Sequence, residues 1–292
     1  MVLATDLPVK EASYFVTKSK QVAILTTSAS KRLAIDIADY VEKKEHQKVR
    51  IIDIFKDTQY TPITPSEIVV SHGQEIDPNA PGVVIFTSGT SGPPKGAIQS
   101  RAYMYSAALA TADAYGVTHK DVMLNVLPVH HATGIGLNIF PFLVSGSCIE
   151  FRSGSFDPSW MWERWKQSTI TFFSGVPTMY VRMMRYYEQN IARLPDEVTM
   201  DYKRGVMQLR VMLCGSSSLP GPTQDFWTKM RGGKMILTRY GGTELGIIFS
   251  VALDPGYAPP GSVGTPFPGV DVKLSDGNEG EILVKSPFMF SK

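Results

Sequence analysis

The chain has 292 residues, 43% of them hydrophobic, and a formal net charge of +2. That length and apolar content can bury a large core, while the near-neutral charge gives neither nucleic acid nor an anionic membrane surface a handle. No apolar run is long enough to span a bilayer, and Met1 is not followed by a signal-like segment, so the expectation is a soluble chain.

Residues 21–26 read as a strand, Leu33, Ile37, Tyr40 and Val41 fall on one helical stripe, and residues 49–55 return as a strand. A Pro- and polar-rich stretch, 59–79, reads as a connector with a short strand near 68–70. The apolar run 82–85 after Pro81 reads as a buried strand, and Ser100 is placed to cap a helix through Ala114 that Gly116 ends. Cys148 and Cys214 lie in apolar strand-like runs and read as two buried thiols in a reducing compartment. Asp157-Pro158 reads as the cap and first residue of another helix, with Trp162 and Trp165 as core anchors. A strand at 169–173, a helix at 178–188 with a Met/Tyr packing stripe, and strands at 209–214 and 235–238 follow. The alternation predicts an α/β fold, layered, with mostly parallel sheets flanked by helices. Ligands in such folds sit beyond the carboxyl ends of the strands. From Gly261 the texture changes: residues 270–274, a turn at 275–278 and residues 281–284 predict a hairpin, the start of a small antiparallel β-barrel subdomain. The expected domains are 1–80, an incomplete leading α/β subdomain with its connector, 81–262, an α/β core, and 263–292, the partial barrel.

The segment between the strand at 82–85 and the helix after Ser100 carries the chemistry. It runs Phe86-Thr87-Ser88-Gly89-Thr90-Ser91-Gly92-Pro93-Pro94-Lys95-Gly96. Glycine lets successive backbone N–H groups converge on an anion, the hydroxyls add neutral donors, and Lys95 adds a point charge. The spacing is not that of the Walker loop, where the lysine precedes Ser or Thr. Composition alone fits a flexible Gly/Ser surface loop equally well.

That segment resembles the phosphate-loop signature of the adenylate-forming superfamily of acyl-CoA synthetases, luciferases and adenylation domains. Two further blocks stand in the same order: Leu127-Pro128-Val129-His130-His131 is similar to the acceptor-side His segment, and Arg239-Tyr240-Gly241-Gly242-Thr243-Glu244 to the superfamily's Tyr-Gly-x-Thr-Glu. The resemblance implies AMP-binding chemistry: a carboxylic acid attacks the α-phosphorus of MgATP, and coenzyme A then displaces AMP from the acyl-adenylate. It implies that Thr87, Ser88, Gly89, Thr90, Ser91, Gly92 and Lys95 embrace the β and γ phosphates. Glu244, with Thr87, would ligate Mg²⁺, Thr243 would face the α-phosphate, and Tyr240 would lie against adenine beside Gly241 and Gly242. Gly215, Ser216 and Ser217 resemble the nucleotide-side turn. His131 would orient the reacting carboxylate, so His131, Lys95 and Glu244 are the catalytic candidates. A turn-stabilising role for the two histidines and a solvated Lys95 are the plain alternatives.

Residues 126–136 and 260–269 look most like malonyl-CoA synthetases and their relatives. There an arginine similar to Arg239 binds the second carboxylate of malonate, and a guanidinium grips a carboxylate in a bidentate fork. Thr133 departs from a further histidine common in that subfamily. Set against that family, the resemblance implies a chain that stops before the Thr-Gly-Asp element and the lysine-bearing C-terminal lid domain and lacks a leading portion of the large domain. The expectation is a weakly active or inactive core of an acyl-CoA synthetase, or a non-catalytic nucleotide- or acyl-binding module that lost its lid. Its expected partners are a small carboxylic acid and CoA, with no nucleic acid, and its exposed strand edges imply self-association. The expected location is cytoplasmic, with mitochondrial and peroxisomal interiors fitting as well.

Overall fold

The structure is a computed structural model that describes residues 1–55, 76–87, 92–254, 256 and 258–291. The expected connector, its short strand near 68–70, and Ser88, Gly89, Thr90 and Ser91 lie outside the described residues. Two compact units divide the chain, Met1–Arg101 and Ala102–Lys292.

In the first unit, α1 (Val9–Lys18) and α2 (Lys31–Glu45) meet through Ala12, Val16, Ile37 and Val41. The stripe legible in the sequence is the one that buries Ile37 and Val41. Strands β1 (Ala23–Thr26) and β2 (Arg50–Asp53) pair in parallel. Strand β3 (Pro81–Thr87) then forms an antiparallel hairpin with β4 (Lys95–Ser100), from Pro81 opposite Ser100 to Thr87 opposite Lys95.

The second unit is built on one seven-stranded sheet. Its members are β5 (Val122–Asn125), β6 (Cys148–Phe151), β7 (Phe172–Gly175), β8 (Val211–Cys214), β9 (Leu237–Gly242), β10 (Gly246–Ser250) and β11 (Thr265–Pro266). The order across the sheet is β11-β10-β9-β8-β7-β5-β6. The five strands from β6 to β9 run parallel, and β10 and β11 are antiparallel additions. This bears out a layered α/β core with a mostly parallel sheet. One face carries Leu124, Phe173, Met212 and Cys214 against the aromatic side chains of α5 (Pro158–Lys166), α6 (Pro177–Tyr186), α7 (Asp196–Gln208) and α8 (Gly221–Met230). Trp162 and Trp227 stack there at 5.7 Å, and their indole N–H groups donate to the Met183 and Tyr180 carbonyls. Asp157 caps α5 by accepting from the Ser159 amide at 2.9 Å, as its sequence predicts. The other face carries Met123, Phe172, Val211, Leu213 and Leu237 against Tyr115 and Phe142. Helix α3 (Arg101–Ala114) packs Tyr103 and Ala107 on the β10 side, and α4 (Phe140–Val144) supplies Phe142. Beyond the sheet, β12 (Asp271–Asp276) and β13 (Glu279–Lys285) form the expected hairpin as a separate two-stranded sheet.

Two expectations change. Cys148 is exposed, and only Cys214 is buried; both are free thiols. The reason is position: β6 is the edge strand, so its apolar run is half-covered instead of sandwiched. The strand expected to end at Thr238 continues to Gly242, because β10 folds back on it and supplies partners for the motif residues.

Candidate active site

In the first unit, Thr87 and Lys95 form the last cross-strand pair of the β3–β4 hairpin, at the end where the chain passes from β3 to β4. Lys95 is exposed, and Gly92 has a φ of 149°, in the range that favours glycine. Helix α1 holds both limbs of this hairpin. The Tyr14 hydroxyl donates to the Pro94 carbonyl at 2.9 Å, and Phe15 packs on Phe86 at 4.6 Å between ring centres. A groove of about 800 Å³ runs along this unit, with Tyr14, Lys18 and Lys95 among its walls.

In the second unit the other candidates stand at the carboxyl ends of the parallel strands. After β5 the chain makes the turn bearing the His segment, closed by the His131 amide donating to the Pro128 carbonyl at 3.1 Å. The turn leads into a π-helical segment, Thr133–Leu137, whose Gly134 lies so close to the Pro128 carbonyl that a Cβ would sit 2.0 Å from its oxygen. His131 is exposed and His130 half-buried, with their rings 4.4 Å apart. Behind them, the buried Asn138 donates to Asn125 at 3.2 Å. After β8, Gly215 is buried while Ser216 and Ser217 are exposed, and Ser216 takes a φ of 69°, a costly conformation for a residue with a side chain.

Strand β9 turns the Arg239 to Glu244 block into two faces. Tyr240 is exposed, with its ring 6.1 Å from that of Phe249. Gly241 and Gly242 face β10 across the hairpin, and Thr243 and Glu244 form its turn. The Phe290 amide donates to the Glu244 carbonyl at 2.9 Å, which pins that turn. Arg239 points the other way and is only 6% exposed. Its Nη2 donates to the Ser174 hydroxyl at 2.9 Å, while Nε and Nη1 have no hydrogen-bond partner among the described residues. Burial pushes the nearby Cys214 thiol up to about 12, an effect that the charge of Arg239 opposes. Gly215 adjoins Arg239: a Cβ on it would lie 3.5 Å from the Arg239 carbonyl oxygen.

The fold therefore gathers Gly215, Ser216, Ser217, Arg239, Tyr240, Thr243 and Glu244 on neighbouring strand ends, with His131 at the end of β5 on the same sheet. Thr87, Gly92 and Lys95 belong to the first unit. Among the described residues no group of three or more His, Cys, Asp or Glu side chains could by itself hold a metal ion. Sequence reasoning missed Ser174. Its one signal was a hydroxyl interrupting the otherwise apolar strand segment Phe172-Phe173-Ser174.

The profile of the AMP-binding enzyme family matches residues 1–292. The chain belongs to that family. Malonate–CoA ligase of Arabidopsis thaliana is 36% identical over 227 residues, covering 73% of this chain and 36% of the relative. The mitochondrial malonate–CoA ligase of Homo sapiens is 31% identical over 246 residues, covering 73% of this chain and 42% of the relative. Among solved structures, a malonyl-CoA ligase ternary product complex with methylmalonyl-CoA and AMP bound superimposes with a TM-score of 0.76 at 26% identity. Apo MatB from Rhodopseudomonas palustris does so with 0.77 at 25% identity. These two cover 99% of this chain and 57% and 55% of theirs. This AMP-binding chain thus spans well under half of the two curated relatives and somewhat over half of the two structures. No helix among its described residues is long and apolar enough to cross a membrane.

Proposed function

We propose that this chain forms the nucleotide and acid sites of an ATP-dependent acid–CoA ligase whose acid is a short dicarboxylate such as malonate. The observation that carries the reading is Arg239. It is a buried cation at the carboxyl end of the sheet, with no carboxylate paired to it among the described residues and two nitrogens unpartnered. Burying a charge without a counter-charge is costly, so an anionic ligand is the natural complement. The malonate–CoA ligase relatives support the same substrate class.

In this reading one carboxylate of the acid attacks the α-phosphorus of ATP, the bond to pyrophosphate breaks, and an acyl-adenylate forms. The thiol of CoA then attacks the acyl carbon, and AMP leaves. Lys95, Thr87 and Gly92, with the Ser88–Ser91 segment, neutralise and orient the β and γ phosphates. His131 donates to the reacting carboxylate, and Tyr240 and the Gly215–Ser217 turn flank the adenine. Positioning and charge neutralisation supply the rate, because both reactants are anions. Magnesium takes few protein ligands and completes its shell with phosphate oxygens and water. A single half-buried carboxylate, Glu244, at a pinned turn fits that demand. Glu244 would hold the ion, which would supply charge neutralisation on the phosphates. A cytoplasmic or mitochondrial site of action goes with this proposal.

Calorimetric titration of MgATP into the chain tests it. Saturable binding is expected, weakened about tenfold by Lys95→Ala and by Glu244→Ala, the loss of one charge-assisted contact each. Absence of binding at millimolar MgATP would sink the proposal for this chain.

A further inference from the structure

We infer that Ser174 is a positioning residue for Arg239, holding the guanidinium so that its free nitrogens face the distal carboxylate of the acid. The inference rests on the reading of Arg239 given above. Ser174 is fully buried on β7, on the sheet face it shares with Phe172 and Leu213. A hydroxyl in that apolar setting needs a partner, and the guanidinium Nη2 at 2.9 Å is the one its oxygen accepts from. The arginine starts on β9 and reaches Ser174 on β7 by crossing β8, the strand between them. Nε and Nη1 remain buried and unpartnered at the end of this reach. A flexible side chain binds an anion weakly unless something fixes its head beforehand, and one hydrogen bond at Nη2 fixes the plane while leaving the other donors free. No other described side chain accepts a hydrogen bond from this guanidinium.

The test titrates malonate and propionate calorimetrically into the full chain in the presence of AMP. Ser174→Ala is expected to weaken malonate about tenfold, the scale of one well-placed hydrogen bond, with propionate and AMP unchanged. Ser174→Thr keeps the hydroxyl and should retain most of the malonate affinity. Adding Ser174→Ala to Arg239→Lys should weaken malonate no further, since the two act as one unit. A Ser174→Ala chain that weakens both acids alike, or that leaves malonate unchanged while Arg239→Lys weakens it, overturns the positioning role alone. Malonate binding unaffected by Arg239→Lys, or absent from the unaltered chain, overturns the reading of Arg239 and the inference with it. Should Ser174→Thr fail to fold, the alanine and double-variant titrations decide the matter by themselves.

Discussion

A Cβ placed on Gly241 would lie 2.0 Å from the Gly246 carbonyl oxygen, because the two backbones approach across the β9–β10 register. One placed on Gly242 would meet only the Glu244 carboxylate, at 3.7 Å. Two adjacent glycines of one motif therefore carry different loads. Gly241→Ala must push β10 away from β9 and is expected to cost about 2–4 kcal/mol, in the range of overpacked or strained core positions. Gly242→Ala should fall within about 0.5 kcal/mol of the unaltered chain, as ordinary surface changes do. Urea midpoints of the two variants check this, and equal losses would contradict it. The same logic explains what was legible residue by residue. The motif glycines and Glu244 could be located from spacing, but not which glycine is wedged against backbone. Nor could the sequence show that Arg239 turns inward while Tyr240 turns out, since that follows from β9 continuing through the motif.

At the opposite end of the sheet from the site, one carboxylate ties several elements together. Asp121 precedes β5 and accepts from the Thr118 amide at 2.8 Å, the Thr171 hydroxyl ahead of β7 at 2.8 Å, and Arg210 ahead of β8 at 2.8 Å. Arg210 also donates to the Tyr115 and Gly116 carbonyls after α3. Burial alone would push the Asp121 carboxyl up, but the Arg210 guanidinium, the Thr118 amide and the Thr171 hydroxyl together hold it below the ordinary carboxylate value. A depressed folded pKa means stability that is present above the unfolded value of about 3.9 and lost as pH falls through the folded one. Asp121→Asn is therefore expected to be about 2 kcal/mol less stable at pH 7, discounted for the partly exposed Arg210, with the gap closing toward pH 3. Urea unfolding at the two pH values measures it, and a gap independent of pH would refute the assignment. Elements differed in legibility for a related reason. The α2 stripe and the Asp157 cap are local patterns, and both stand where they were expected. Strand β4 was missed because its inward positions are Ala97 and Gln99, too small and too polar to signal burial. Its existence depends on pairing with β3, which no local pattern records. The exposure of Cys148 likewise follows from the place of β6 at the sheet edge, a property of the whole topology.

The two units are built on cores of very different size. In the second, three fully buried tryptophans, Trp162, Trp165 and Trp227, sit in one cluster with Phe173, Tyr180 and Met212. In the first, the helices meet through the small set Ala12, Val16, Ile37 and Val41. Buried apolar area contributes roughly 25 cal/mol per Å², so the first unit has much less to set against its chain entropy. All four tryptophans of the chain, Trp160 included, lie in the second unit, so indole fluorescence reports on that unit alone, whereas far-ultraviolet circular dichroism sees the helices of both. In urea, the dichroism is expected to fall in two steps, the first at a concentration where fluorescence is still native. Ile37→Ala removes a buried side chain from the small core at a cost of about 3 kcal/mol. It should move the first step to lower urea and leave the fluorescence midpoint where it was. A single step shared by both probes, shifted as a whole by Ile37→Ala, would show instead that the two units unfold as one, and that the modest core around Ile37 sets the stability of the site-bearing sheet as well.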